Sequence, residues 1–187
     1  MSLISRELQT MELFQVKIST NRLLLLPISL KFKEEIFREF TPEITTYMYA
    51  RAPEDITETE EFINQSLSEI KNGNTLTLMI LKKDSQEFLG CTGIHNINSN
   101  INSKELGIGI WLKKNAQGNG YGLETIAALK KWADDNLDYE YLTYDVDKAN
   151  IPSRKIPETL GGQIFREYDK TNLSGRVLNI VEYRIHK

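Results

Sequence analysis

Gln117-Gly118-Asn119-Gly120-Tyr121-Gly122 follows an apolar run, Glu105 to Leu112, and opens an amphipathic helix. Three alternating glycines let the backbone come close to a ligand. The first amides of a helix have no intrahelical partner, and the helix dipole adds partial positive charge there, so such a turn suits a phosphate or pyrophosphate. The run before the turn reads as a strand. Leu106, Ile108, Ile110 and Leu112 share one face, and Glu105, Gly107, Gly109 and Trp111 share the other. One face packs; the other carries an acid and two gaps, as at a strand approached by a ligand or another backbone.

Outward from this unit the chain alternates strands and helices. Upstream, Thr20 to Leu26 is an aliphatic strand ended by Pro27, and Ile28 to Phe40 has apolar residues at helical spacing. Thr57-Glu58-Thr59-Glu60 has the form of a capping box, with Phe62, Ile63, Leu67 and Ile70 as the inward stripe of a helix ending near Asn72-Gly73. Thr75 to Leu81 and Glu87 to Ile97 read as a hairpin turning at Lys82-Lys83-Asp84-Ser85. Downstream, Tyr121 to Asn136 is a helix with Ile126, Leu129, Trp132 and Ala133 facing inward, and Tyr139 to Asp147 is a strand. Asn150 is placed to cap a helix that Gly161-Gly162 stops and Pro157 kinks or shortens. Gln163 to Tyr168 and Arg176 to Ile185 close the chain as strands. Met1 to Ile18 is of mixed character, a loosely attached helix or an early strand.

At 187 residues and 40% hydrophobic, the chain fits one core-bearing domain, residues 20–187, behind an extension at 1–19. A net charge of -3 leaves no basic footprint for nucleic acid. The single cysteine, Cys91, excludes an internal disulfide and a multi-cysteine zinc site, and with two scattered histidines no metal constellation is visible. The longest aliphatic stretch, Leu23 to Leu26, is far short of a membrane span, and charges stand where a signal peptide would be apolar. The expectation is a soluble cytoplasmic protein with no metal.

Two nucleotide readings compete for the glycine turn. A Walker loop needs Lys and Ser or Thr after its second glycine, and neither is present. A dinucleotide turn needs a third glycine where Leu123 stands, although Asp145 or Asp147 lies at a suitable distance; the unit also stands alone after an antiparallel meander. What the pieces resemble is the GNAT superfamily of acetyl-CoA-dependent N-acetyltransferases. Its signature of Gln or Arg, two residues, Gly, one residue, Gly or Ala is met by Gln117, Gly120 and Gly122. Thr20-Asn21-Arg22-Leu23, Gly109-Ile110-Trp111-Leu112, Asn150-x-x-Ser153 and Glu158-x-Leu160-Gly161 look like the branch of the RimJ and RimL ribosomal-protein N-terminal acetyltransferases. The chain departs from that branch at Leu26, where Arg is frequent, and at Gly162, where an aromatic is usual. Pro157 also interrupts the last helix, and Gly107 stands where the branch often has Glu, leaving Glu105 one pleat earlier on the same face.

The resemblance implies an α/β (α+β) single domain with a mixed, mostly antiparallel sheet whose splayed central strands form the acetyl-CoA site. Gln117, Gly118, Asn119, Gly120, Tyr121 and Gly122 would hold the pyrophosphate. Ile110, Trp111 and Leu112 would pair with the pantetheine arm, with Asn150 and Ser153 completing the cofactor set. The amide near Ile110 would polarise the acetyl carbonyl. Glu105 is the first base for the amine, against a plain reading as a solvated strand-end acid. Ser153 is the proton donor to the thiolate, with Tyr144 and Tyr168 as substitutes; their plain readings are helix capping for Ser153 and core packing for the tyrosines. His95, late in a strand, reads as a strand residue rather than a base. The acceptor is a primary amine, a ribosomal-protein N-terminus or another, and a homodimer is compatible. The alternative is a degenerate domain of the same fold that binds CoA as a sensor or interaction module.

Overall fold

Alternating apolar runs separated by amphipathic helices call for a sheet covered on both faces. The computed structural model describes residues 13–98 and 104–187. Expectations for residues 1–12 and 99–103 lie outside the described residues. Eight strands form one sheet in the order β1 (Ile18–Ser19), β2 (Leu23–Pro27), β3 (Leu76–Lys82), β4 (Phe88–His95), β5 (Glu105–Leu112), β6 (Tyr141–Asp147), β8 (Val177–His186) and β7 (Gln163–Thr171). Every adjacent pair is antiparallel except β5 and β6. The mixed, mostly antiparallel architecture expected from the sequence is the one observed.

Four α-helices flank the sheet among the described residues: α1 (Lys33–Glu39), α2 (Ile56–Lys71), α3 (Tyr121–Asn136) and α4 (Ile151–Thr159). Helix α2 starts earlier than the Thr57 capping box predicts. Asp55 caps it instead, accepting from the amides of Thr57 at 2.8 Å and Glu58 at 3.4 Å. Phe62 also leaves the predicted inward stripe: it is 44% exposed, whereas Ile63 and Ile70 are fully buried. In α3 the buried face is Thr125, Ile126, Leu129 and Ala133, with Trp132 only half-buried against it. Helix α4 carries Pro157 inside it and ends at Thr159, and the Gly162 amide closes the end by donating to the Pro157 carbonyl at 2.8 Å.

The core joins both layers through Leu23, Leu25, Leu76, Leu78, Ile80 and Ile94 of the sheet with Ile63, Ile126 and Leu129 of the helices, all fully buried. Each such side chain contributes about 1.5–3 kcal/mol relative to exposure. Part of the stretch read as an extension joins them: Leu13, Val16 and Ile18 are buried in the same core, and Ile18–Ser19 pairs with β2.

The sheet opens at its centre. Parallel pairing of β5 with β6 covers only Glu105↔Tyr141, Leu106↔Leu142 and Gly107↔Thr143. Beyond that level β5 stays with β4 as far as Leu112↔Gly90, and β6 stays with β8 as far as Asp147↔Ile180. Each strand follows the twist of its own antiparallel partner, so a wedge opens between Ile108–Leu112 and Tyr144–Asp147. By register, Cys91, Gly93 and His95 share a face with Gly107, Gly109 and Trp111, on the side of α1 and α2. Tyr144 falls on the opposite face with Leu106 and Ile108, on the side of α3 and α4.

Candidate active site

The glycine turn sits at the mouth of the wedge. Gly118 and Gly120 have φ of +74° and +77°, a region costly for residues with a Cβ, so the turn depends on glycine at these positions. Gly120 is the N-cap of α3 and has no side chain to cap it, which leaves the opening amides of Tyr121, Gly122 and Leu123 available to an anion. A Cβ at Gly118 would meet nothing within 4 Å, so the turn faces open space. A Cβ at Gly122 would come within 3.0 Å of Ile156 in α4 and 3.8 Å of Leu112 in β5, which places the helix start directly across the wedge.

The polar side chains of the turn hold its own backbone. Gln117 donates its amide to the Leu112 carbonyl at 3.1 Å, tying the turn to the end of β5. Asn119 folds back on the Gln117 carbonyl at 2.9 Å and on the Ala116 carbonyl at 3.3 Å. A brace that the sequence reading did not assign comes from the other end of the chain. Arg22 donates to the Asn119 carbonyl at 3.0 Å, pairs with Glu124 of α3 at 2.6 Å and lies over the Tyr121 ring at 4.5 Å. Thr20 donates to Glu124 at 2.6 Å. Burial pushes the Glu124 carboxyl up, but the hydrogen bonds from Thr20 and Arg22 outweigh it and hold the group below its usual range. The signal was present as the Thr20-Asn21-Arg22-Leu23 motif, without its partner.

On the α3–α4 side of the wedge the Tyr144 hydroxyl and the Ser153 hydroxyl are 2.8 Å apart. Burial pushes the Tyr144 phenol up to about 12 while the Ser153 bond pulls it down, so it stays protonated at neutral pH. Asn150 caps α4 by accepting from the Ser153 amide at 3.4 Å, so this side chain is engaged in holding Ser153. Tyr168, on β7, donates to Asp145 at 2.8 Å and is not in this pair. The structure therefore brings together Tyr144, Ser153 and Asn150 on one side, with Ile110 and Leu112 facing them from half-buried positions on β5.

On the α1–α2 side a cavity of about 440 Å³ reaches the same level of β5, with Thr92, His95, Gly109, Ile110 and Trp111 among its walls. The Trp111 ring points into this side and packs on Phe40 at 4.8 Å and on Phe88 at 5.7 Å. Gly107 is the cross-strand neighbour of His95: a Cβ at Gly107 would meet the His95 Cβ at 3.6 Å and its Cδ2 at 3.9 Å, an ordinary contact. Protein packed around the ring lowers its pKa from the ordinary value by burial, while its outer edge stays open to solvent at the cavity wall. Glu105 lies one pleat further along, at the paired end of β5 and off the cavity wall, and accepts from the Tyr141 hydroxyl at 3.0 Å. Arg184 stacks over that Tyr141 ring at 4.2 Å. His95 was read from the sequence as an ordinary strand residue, because its pairing with Gly107 is a register property that no local pattern carries.

The sheet is split between a parallel pair, with an uncapped glycine turn on one side and a half-open cavity on the other. The chain belongs to the acetyltransferase (GNAT) domain family, whose pattern spans residues 22–163. It is similar, at 24% identity over 149 residues, to an uncharacterized N-acetyltransferase, p20, of Bacillus licheniformis, covering 78% of this chain and 82% of the relative. Its fold is similar to the microcin C7 self-immunity acetyltransferase MccE, solved with acetyl-CoA and AMP, at a TM-score of 0.78 and 22% identity, covering 90% of this chain and 94% of that one. It is likewise similar to a spermidine N-acetyltransferase of Vibrio cholerae, solved with CoA and spermine, at a TM-score of 0.77 and 16% identity, covering 89% of this chain and 96% of that one. The donor is acetyl-CoA, and the residues present fit it. The turn offers open amides, and the wedge leaves the β6-side edge of β5 without a strand partner from Ile108 to Leu112. Among the described residues there is no cluster of three metal-ligating side chains, and no helix long and apolar enough to cross a membrane.

Proposed function

We propose that this chain transfers the acetyl group of acetyl-CoA to a primary amine that enters through the cavity on the α1–α2 side. The observation that carries this reading is the meeting of cavity and wedge at Gly109 and Ile110, with a hydroxyl pair behind and an imidazole in front. Acetyl-CoA, when bound, supplies an activated acyl carbon whose C–S bond breaks as the new C–N bond forms. The amides of Gly118 to Leu123, held by Gln117, Asn119 and Arg22, receive the pyrophosphate. Ile110, Trp111 and Leu112 offer their backbone edge to the pantetheine arm, and the Ile110 amide faces the negative charge that develops on the acyl oxygen.

His95 takes the proton from the ammonium, because it is a neutral imidazole on the cavity wall with no hydrogen-bond partner of its own among the described residues. Glu105 stands behind it, engaged by Tyr141. Ser153 and Tyr144 share a hydrogen bond that passes a proton to the departing sulfur, and Tyr144 is kept protonated by burial. The free thiol of Cys91, buried in β4, supports a reducing, cytoplasmic setting. The motifs shared with the RimJ and RimL branch support a ribosomal-protein N-terminus as one acceptor. A panel of peptides with Ser or Ala N-termini and small amines, read by free-thiol release, separates it from other amines. Isothermal titration should give micromolar acetyl-CoA binding, and absence of binding would sink the reading. Binding without thiol release for any amine would mark a CoA-binding module instead.

A further inference from the structure

The acceptor side of the wedge has a distinct chemistry. Against the sheet residues of β3, β4 and β5, three segments far apart in sequence complete its walls: the α1 end with Ile36 and Phe40, the 48–62 stretch with Met48, Pro53 and Phe62, and Leu173 in the β7–β8 turn. Hydrogen bonds fix the last two against each other. The Leu173 amide donates to the Tyr49 carbonyl at 3.0 Å, Asn172 donates to the Met48 carbonyl at 3.2 Å, and Arg176 donates to the Thr46 carbonyl at 3.3 Å. The rim is therefore built, and it is apolar: Phe62 is 44% exposed and Leu173 57% exposed, both bordering the cavity. Trp111 and Phe40 form an aromatic wall further in.

Charge at the cavity is already spent. Among the described residues Glu58 is the one carboxylate on its wall, and Arg51 pairs with it at 3.0 Å while also meeting Glu54 at 3.4 Å. A substrate with a second ammonium would find no free carboxylate there, and a buried cation without a counter-charge is strongly disfavoured. A substrate carboxylate would likewise have to displace Glu58 or Glu54 from Arg51. Thr59, Thr77 and Thr92 supply neutral hydroxyls only. A volume of about 440 Å³ lies within the range of small-molecule sites.

We propose that the acceptor is a primary amine carried on an uncharged, apolar, ring-sized body, recognised by Phe40, Phe62, Trp111 and Leu173, and that polyamines and polar peptide N-termini are discriminated against. This rests on the acetyl-transfer reading above and chooses, within it, against the ribosomal-protein N-terminus that the branch motifs support. Seating one aromatic body against these walls is worth at least about tenfold in kcat/KM over an amine that leaves them empty.

The test uses the full chain with acetyl-CoA and measures thiol release with 2-phenylethylamine, spermidine and a peptide with an N-terminal Ser. The expected result is a kcat/KM for 2-phenylethylamine at least about tenfold above either of the others. Phe62→Glu, at an exposed rim position that the core does not need, should cut the 2-phenylethylamine value at least about tenfold and raise that for spermidine. A second readout is independent of turnover: in a Trp132→Phe background, Trp111 is the one remaining tryptophan and its fluorescence should respond to 2-phenylethylamine but not to spermidine. A higher kcat/KM for spermidine or the peptide overturns this inference and leaves acetyl transfer standing. Acetyl-CoA binding with no transfer to 2-phenylethylamine and no Trp111 response overturns it too. Failure to bind acetyl-CoA at all overturns instead the reading on which it rests.

Discussion

Gly109→Val separates the acceptor half of the site from its cofactor half. Gly109 stands mid-strand in β5, and a Cβ there would meet nothing within 4 Å, so the added side chain enters the cavity rather than the core. Folding should not suffer. A strand glycine gives up about 0.5–1 kcal/mol relative to Ala, and a β-branched residue suits a pleated strand, so Tm should hold or rise by about 2–4 °C. Catalysis should suffer. The amine must come within about 3–3.5 Å of the acyl carbon. A valine methyl beside Ile110 holds other carbons at about 3.5–4.0 Å. A misplacement of about 1 Å costs about 10²-fold, or about 2.7 kcal/mol in the barrier. Thiol-release kinetics give kcat/KM, titration calorimetry gives the acetyl-CoA Kd, and circular dichroism gives Tm. The expected pattern is a kcat/KM lowered about 10²-fold with Kd unchanged and Tm unchanged or raised by about 2–4 °C. Wild-type kcat/KM would refute the placement of the amine path, and a Kd that weakens in step with kcat/KM would refute the separation of the two halves.

Gly120→Val forces a β-branched residue into a backbone with φ of +77°, a cost of about 1–2 kcal/mol, and acetyl-CoA affinity by calorimetry should weaken about tenfold; an unchanged Kd contradicts the pyrophosphate cradle. Tyr144→Phe keeps the ring and removes the hydroxyl that faces Ser153, so kcat should fall about 10–10²-fold with Tm within a few degrees, and an unaffected kcat removes Tyr144 from the proton path. His95→Gln should abolish the acid limb of the pH profile of kcat/KM, whereas Glu105→Gln should leave that limb in place. Burial holds the His95 pKa below its usual value of about 6.5, so the base is already neutral at pH 7 and activity falls only as pH drops through the lowered pKa. The same shift makes the unfolded chain bind the proton more readily, so the His95 contribution to stability is full above about pH 6.5 and is lost as pH falls below it. Denaturation midpoints against pH for wild type and His95→Gln check that sign.

Several elements were legible because their cause is local. The alternation of Glu105 to Leu112, the helical stripe of Ile126, Leu129 and Ala133, and the Asn150 cap each depend on neighbours within a few residues, and all appear where expected. The α2 start was misplaced because two capping signals overlap. Asp55 wins over Thr57 because its carboxylate reaches two orphan amides at once. Phe62 was assigned to the core because helical spacing cannot tell a packed face from a face that borders a cavity.

The sequence alone determined the sheet-and-helix alternation, the glycine turn and the hydroxyl-bearing helix after it, since strand period, positive-φ demand and capping are written in short stretches. The tertiary structure alone decided what those parts face. Register set His95 beside Gly107, the end of β5–β6 pairing at Gly107↔Thr143 opened the wedge, and Arg22 reached across the fold to brace Asn119 and Glu124. These are contacts between residues tens of positions apart, fixed by how strands choose partners and by how the core closes. Gln117 to Gly122 could be read as a turn open to a phosphate on sight; the proposed path for an amine became visible only once the sheet had split.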